Sequence, residues 1–262
     1  MEVLQGAVLT AGVVSGAWAT ARIVARAGRM PDVVLGWTIL ATRSLLDESA
    51  VVVRAVELRD LPRARALLSR IVGRDTGSLD GPEILRAVIE TLAEGVCDAI
   101  VAPLMYLALG GVPAGFAYKA INTLDSMIGH PEPPYRYFGR VAARLDDAVN
   151  FVPARLAAVA ICAAAFVTRH DARRAWQIFL RDGGHHPSPN AGRPEAAMAG
   201  ALGVRLGGMN YYGGEPSPKP ELGAEGRRAT VRDARGALLL TAVASIAAFS
   251  VAWICVAIGR RR

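Results

Sequence analysis

GALLLTAVASIAAFSVAWICVAIG, residues 236–259, is the stretch whose reading decides the fold. It is 24 residues long and carries no charge. A helix rises about 1.5 Å per residue, so roughly 20 apolar residues cross the hydrocarbon core of a bilayer. Residues 236–258 therefore read as a membrane helix. Three more stretches follow the same rule: 3–24, 99–121 and 151–168. The run 33–46 (VVLGWTILATRSLL) is shorter and gives a candidate fifth span. The 99–121 segment is interrupted by Pro103 and by Gly110-Gly111-Val112-Pro113, and 151–168 carries Pro153 and Arg155 near its start. The expected fold is all-α: a polytopic integral membrane helical bundle, one domain over 1–262, with amphipathic helices and polar loops between the spans.

Composition agrees. Apolar residues make up 52 % of the chain and charged residues 20 %, and mean hydropathy is +0.30. That is more apolar surface than a soluble domain of this size hides. Net charge is +7, and Lys119 and Lys219 are the only lysines, so the basic charge is almost all arginine. Arginine's planar fork suits phosphate and carboxylate, while basic loops flanking membrane helices account equally well for the charge. A nucleic-acid partner is set aside, because the aromatic residues are not interleaved with a basic stripe. Orientation stays open: Arg227, Arg228, Arg232 and Arg235 flank one end of the last span, and Arg260, Arg261 and Arg262 the other. Cys97, Cys162 and Cys255 lie in apolar runs without ligand spacing and are expected to be buried reduced thiols. Glu2 stands where a signal peptide would be positive, so no cleavable signal peptide is expected.

Polar stretches separate the spans. Residues 47–72 read as amphipathic helices broken at Asp60-Leu61-Pro62. GRDTGSLDGPE (73–83) reads as a turn-rich loop entering a helix, with Pro82 in its first turn. GMNYYGGEPSPKPELGAEG (208–226) is too dense in glycine and proline for regular structure. On a helix over 83–100, Glu83, Arg86, Glu90, Glu94 and Asp98 recur every three or four residues and share a face. A solvated face is the plain reading, but stacked carboxylates repel unless a divalent metal or an arginine intervenes. Lys119, Asn122, Asp125 and Ser126 sit at helical spacing where an apolar segment ends, and ionisable groups at such depth face a cavity or a partner. Arg144 precedes Asp147 by three residues and Asp146 precedes Asn150 by four. Such a group suits Mg²⁺ and phosphate, since magnesium takes one or two carboxylates plus phosphate oxygens; a salt-bridged helix start is the alternative. No P-loop, dinucleotide fingerprint or nucleophile elbow occurs.

HHPSPNAGRPEAAMAG (185–200) combines prolines that fix the backbone with His186, Ser188 and Asn190 as polar groups. Gly192 lets the chain turn, and Pro194-Glu195 opens a helix whose N-terminus favours anions. A structural re-entrant turn is the alternative. His185 and His186 are too close in sequence to bind one metal together.

Taken in order, IVGRDTGSLD (71–80), ETLAEGVCDAIVAPL (90–104), YKAINTLDSMIGH (118–130), YRYFGRVAARLDDAVNFVPARL (135–156), HPSPNAGRPEAAMAGALGVRLGG (186–208) and NYYGG (210–214) resemble the adenosylcobinamide-phosphate synthase family, CobD/CbiB, of cobalamin biosynthesis. The match runs from about Thr42 to Gly214. The resemblance implies a multi-pass enzyme of the cytoplasmic membrane. It would join (R)-1-amino-2-propanol, or its O-phosphate, to a propionate carboxylate of adenosylcobyric acid, with ATP and Mg²⁺. An activated carboxylate, most simply an acyl phosphate, then needs metal-holding carboxylates, cations for phosphoryl oxygens and a base for the ammonium proton. On that footing Asp125, Asp146 and Asp147 are the metal candidates. Lys119, Asn122, Arg144 and Ser188 are the candidates for substrate and phosphate, and Glu90, Glu94, His186, Asn190 and Glu195 for catalysis. The partners implied are the corrinoid, the amine, the bilayer and other corrinoid-pathway enzymes. Two departures stand out. Family members carry Asn-x-Ser-Asp-Gly after the glutamate matching Glu94, where this chain has Gly95-Val96-Cys97-Asp98-Ala99. The family's further apolar segment, with short Asp-Pro and His-Pro motifs, is not found ahead of Val3, which implies either a shortened member or a start placed too late. A transporter would also use broken helices and buried charge, though no internal repeat supports it, and a non-catalytic scaffold for corrinoid enzymes would fit the missing N-terminal motifs.

Overall fold

A computed structural model describes residues 1–130 and 134–259 of the chain; Arg260, Arg261 and Arg262 lie outside the described residues. The described chain is mostly helical. Its elements are α1 (Glu2–Ala25), α2 (Arg29–Ile39), α3 (Thr42–Glu57), α4 (Leu61–Leu68), α5 (Gly81–Gly95), a π-helical turn (Val96–Val101), α6 (Ala102–Ile128), α7 (Tyr135–Phe138), α8 (Arg140–Val149), α9 (Phe151–Val167), α10 (Ala172–Asp182), α11 (Gly192–Leu202), the strands β1 (Leu206–Tyr212) and β2 (Glu215–Leu222), and α12 (Val231–Gly259).

Three stretches are long and apolar enough to cross a membrane: Glu2–Ala25, Gly81–Ile128 and Val231–Ile258. The segment expected at 151–168 qualifies only if α8 and α9, bent by 48°, count as one span. The candidate fifth span at 33–46 is two helices instead: α2 ends at Ile39, Leu40 is extended (φ −87°, ψ 118°), and α3 starts at Thr42. Thr38 bonds back to the Leu35 carbonyl at 2.8 Å, and the Arg43–Asp47 pair that opens α3 is exposed, so polar groups draw this junction toward water. α1 and α12 leave Leu4, Val8, Ile23, Ile246, Phe249 and Trp253 exposed, surface of the kind that apolar surroundings cover. Cys97 and Cys162 are buried thiols as expected, but Cys255 is exposed, because it rides on this outward apolar face of α12.

The chain divides into two compact units, one of residues 1–41, 98–153 and 249–262, the other of 42–97 and 154–248. In the first, α1 packs on α6, α7 and α8, and Gly6 approaches the Phe138 backbone so closely that a side chain has no room. Within α6, Gly110 and Gly111 leave helical geometry, Gly111 at φ +67°, which is where Pro113 would otherwise clash with the preceding turn.

In the second unit, α5 starts with a capping box, Asp80 accepting from the Glu83 N–H at 2.9 Å and Glu83 returning the bond at 2.8 Å. Its stripe Ile84, Val88 and Leu92 is buried as the periodicity predicts. α11 is buried along its length, and its alanines and glycines let α10 come close.

β1 and β2 correct both the all-α expectation and the reading of 208–226 as irregular. They form an antiparallel hairpin with Asn210 opposite Ser217 and Tyr212 opposite Glu215. Pro216, Pro218 and Pro220 fall on alternate residues, so the N–H groups they lack point away from β1; prolines are tolerated on such an edge. Gly213 and Gly214, at φ +59° and +83°, supply the two left-handed residues of a tight hairpin turn.

Gly200 faces the α10 backbone, and a Cβ there would lie 2.7 Å from the Ala175 Cα and 2.6 Å from the Arg174 carbonyl oxygen. Gly200→Ala is expected to force the two helices apart and cost about 1–3 kcal/mol, measurable as a lower unfolding temperature of the detergent-purified chain.

Candidate functional site

In the second unit the acidic face of α5 meets the arginines that stacked carboxylates require. Glu90 is buried and accepts from Arg74 (Nη2 to Oε2), from Arg86 at 3.3 Å and from the Gly207 backbone N–H at 2.8 Å. Arg74 also donates to the Asn210 side-chain oxygen at 2.5 Å, and Arg86 donates to the same oxygen at 3.2 Å and to the Met209 carbonyl at 3.1 Å. The solvated-face alternative is therefore overturned at Glu90. At the far end of the hairpin, Asp75 accepts from the Gly213 and Gly214 N–H groups at 3.2 and 2.7 Å.

This scaffold encloses a cavity of about 150 Å³ whose charged and polar walls are Arg74, Glu90, Glu94, Glu195, Tyr212 and Lys219. Of the candidate catalytic carboxylates, Glu90, Glu94 and Glu195 are thus brought together. Glu94 and Tyr212 stand at the exposed rim. Glu195, on the first turns of α11, is only 4 % exposed. Among the described residues its carboxyl has no hydrogen-bond partner. Burial, and then the Glu90 and Glu94 charges, push its pKa well above the ordinary carboxyl value.

His186 is buried; its Nδ1 accepts from the Ser188 N–H at 3.0 Å, and its Nε2 has no partner among the described residues. Burial and the Lys219 charge lower its pKa to about 4, so the ring is neutral at pH 7. Ser188 accepts from the backbone N–H groups of Asn190 and Ala191 at 3.3 and 3.2 Å, which closes the loop onto α11; Asn190 is buried beside it. Here the hydroxyl of Ser188 serves the backbone.

In the first unit, Asn122 donates to Asp98 at 3.2 Å and Lys119 donates to Asn122 at 3.3 Å. Asn150 donates to Asp146 at 3.0 Å and accepts from Tyr118 at 3.0 Å. The second carboxylate oxygen of Asp146, Oδ1, is buried without a partner among the described residues. Arg144 and Asp147 pair with each other at 3.7 Å, Arg144 largely exposed, and the Asp125 carboxylate folds back against Gly129 at the end of α6. Among the described residues no group of three His, Cys, Asp or Glu side chains could hold a metal on its own. A lone buried carboxylate oxygen nevertheless fits magnesium, which keeps waters and phosphate oxygens as its other ligands.

Sequence reasoning missed Arg74, Asn210 and Lys219. The signal for Arg74 was present, since a carboxylate stripe demands a cation, but its position 16 residues before Glu90 follows from the fold rather than from helical spacing.

Glu90→Ala would leave two buried guanidinium groups uncompensated, and a loss of about 3–5 kcal/mol of stability is expected. Glu195→Gln should do the opposite, and only at higher pH. With the folded pKa raised, ionisation of Glu195 costs stability as pH climbs above its usual 4.5. The variant should melt roughly 2–4 °C higher at pH 8 and match the parent at pH 4, in thermal unfolding read at both pH values.

The family model described as CobD/Cbib protein matches residues 1–241. A cobalamin biosynthesis protein CobD of Geobacter metallireducens is 48 % identical over 91 % of this chain and 78 % of its own length. Its counterpart in Yersinia enterocolitica is 46 % identical over 84 % of this chain and 70 % of its own. That of Pelobacter propionicus is 50 % identical over 79 % and 64 % respectively. No solved structure matches the chain. On the family match and these identities, the chain belongs to the CobD/CbiB protein family.

Proposed function

We propose that this chain acts in cobalamin biosynthesis as a multi-pass enzyme of the cytoplasmic membrane. It would form an amide between a propionate carboxylate of adenosylcobyric acid and aminopropanol or its phosphate, driven by ATP with Mg²⁺. The relatives' names support the pathway, and three long apolar helices support the membrane. One observation carries the chemistry. Four separate stretches of family resemblance, around Arg74, Glu90, Glu195 and Tyr212, line a single cavity that contains an acid without a partner.

Amide formation asks for a proton acceptor at the attacking nitrogen and for cations at phosphoryl oxygens. Glu195 supplies the acceptor. Its carboxylate, destabilised by burial and by two neighbouring anions, takes up a proton readily from an ammonium placed against it. Neutral His186 presents a ring N–H and orients without adding charge. Within the first unit, taken by itself, Asp146, with Asp98 linked to Lys119 through Asn122, would hold magnesium, which supplies charge neutralisation on phosphates when bound. Lys119 would meet the phosphoryl oxygens.

The test uses membranes from a host that lacks its own synthase, given ATP, Mg²⁺, adenosylcobyric acid and the amine. Mass spectrometry is expected to find the condensation product with the parent chain, and at least about tenfold less with Asp146→Asn. Absence of product from properly inserted protein would sink the ligase reading. Corrinoid uptake without product would favour the transporter, and restored product on adding a second corrinoid enzyme the scaffold.

A further inference from the structure

In the second unit, α10 leaves part of its surface uncovered. α9 ends in the exposed Phe166 and Val167, and only four residues separate it from α10. The corner between them is pinned. Arg169 takes a left-handed φ of +60°, the His170 N–H donates back to the Ala165 carbonyl at 2.8 Å, and Asp171 caps α10 by accepting from the Arg174 N–H at 2.8 Å. α10 buries Ala175, Ile178 and Phe179 and packs on α11. Two strips remain, each at i,i+4 spacing. One is apolar, Trp176 and Leu180, both exposed. The next strip round the helix carries Arg173, Gln177 and Arg181, exposed as well. Tryptophan and leucine on one flank with arginines on the other make an amphipathic helix of the kind that lies in a bilayer surface.

Depth comes from α12. A Cβ on Gly236 would lie 3.1 Å from the His170 ring Nε2, so the corner before α10 stands level with Gly236, where the uncharged stretch of α12 begins. Arg232 lies one turn earlier on the same face of α12 and is exposed. The corner is thus flanked by the apolar Phe166, Val167 and Leu239 and by the basic Arg169, Arg173 and Arg232. Nearby acids are already engaged. Glu225 pairs with Arg174 at 3.8 Å and with Arg181 at 2.9 Å, Asp182 with Arg181, Asp233 with Arg227, and Glu57 with Arg235. Arg169, Arg173 and Arg232, all exposed, make no ion pair among the described residues. We propose that α10 lies in the headgroup layer of an anionic leaflet, with Trp176 and Leu180 at the acyl boundary and Arg169, Arg173 and Arg232 on phospholipid headgroups. This placement rests on the multi-pass reading and is independent of the reaction. Three arginines in one patch call for anions, and the guanidinium fork suits a phosphodiester. An acidic protein would answer the charge, but it gives no reason for an open tryptophan beside the end of an apolar span, the position that aromatic belts of membrane proteins occupy. Since α11 lies on α10 with Gly200 against the Ala175 backbone, the anchor also sets the height of the helix that carries Glu195.

The experiment reconstitutes the full chain in phosphatidylcholine bilayers, with Trp18→Phe, Trp37→Phe and Trp253→Phe so that fluorescence reports Trp176 alone. Those three rings are exposed, and replacing them leaves packing intact. Brominated phosphatidylglycerol or brominated phosphatidylcholine, each a contact quencher, is then added at equal fraction. Phosphatidylglycerol is expected to quench as though enriched at least about fivefold at Trp176, and about 1 M salt should remove the enrichment. Combining Arg169→Gln, Arg173→Gln and Arg232→Gln should bring the two lipids to within about twofold of each other, with Trp176 still quenched by both. Equal quenching in the parent would overturn the placement, as would an enrichment that survives the triple substitution. Quenching by aqueous acrylamide with neither lipid effective would overturn it too and leave the strip to an acidic protein. The multi-pass reading fails separately. A chain that alkaline carbonate strips from the membrane removes both readings; one that resists extraction but keeps Trp176 in water removes the lipid contact of α10 alone.

Discussion

A single buried carboxylate organises the second unit. Moving an ion out of water costs several kcal/mol, and only full pairing repays it. Glu90 is paired fully: two guanidinium groups and a backbone N–H close around its two oxygens. Those partners come from the loop before α5, from α5 itself and from β1, so satisfying one charge fixes three pieces of chain. Asn210 then ties the two arginines together from the other side. The cavity beside Glu90 is a consequence of this closure.

The hairpin shows why such anchoring is needed. An isolated two-stranded ribbon is marginal in water, and β2 gives up three donors to proline. Glu90 and Arg86 hold its base while Asp75 holds its turn. Clamped at both ends, a weak ribbon becomes a rigid arm that carries Tyr212 and Lys219 to the cavity wall. Glycine at 213 and 214 is then an advantage, since it takes the positive φ of both turn positions without the strain that most side chains would add.

Signals that act along a helix were legible in the sequence. The apolar length of 236–258, the buried stripe of α5, the first-turn place of Pro82 and the i,i+4 contact of Asp146 with Asn150 all depend on spacing within one element. Signals that act across the chain were not. Arg74 and the Gly207 N–H reach Glu90 from 16 and 117 positions away, and no local pattern encodes those distances. The hairpin was hidden by composition, because glycine and proline usually mark loops and only their alternation identifies an edge strand. The π-helical turn over Val96–Val101 was hidden too. It inserts extra rotation between Glu94 and Asp98, so a stripe drawn at constant helical spacing runs past the point where the face turns. Beyond the turn Asp98 bonds to Asn122 on α6 instead of extending the row of glutamates.

The buried polar groups of this chain fall into two kinds, and the difference separates scaffold from site. Glu90, Asp182 and Asp233 are surrounded by donors: Asp182 takes the Gly223 N–H and Arg181, and Asp233 takes Arg227 and Thr230. Each closes a turn or fastens a neighbouring segment. Asp146 Oδ1 and His186 Nε2 are buried without partners among the described residues, as are Ser49 Oγ, Arg193 Nε and Thr241 Oγ1, and Glu195, which lines the cavity, makes no hydrogen bond among them either. Leaving such a group unmade costs about 1–3 kcal/mol, and a fold shaped for stability alone would replace it by an apolar residue of equal size. Glu195, Asp146 and His186 occur in stretches where the sequence resembles its family, and Glu195 borders the cavity. A polar group that weakens the empty protein gains its partner when a ligand arrives, so the unsatisfied set, rather than the more conspicuous arginine cage, is where binding should be sought.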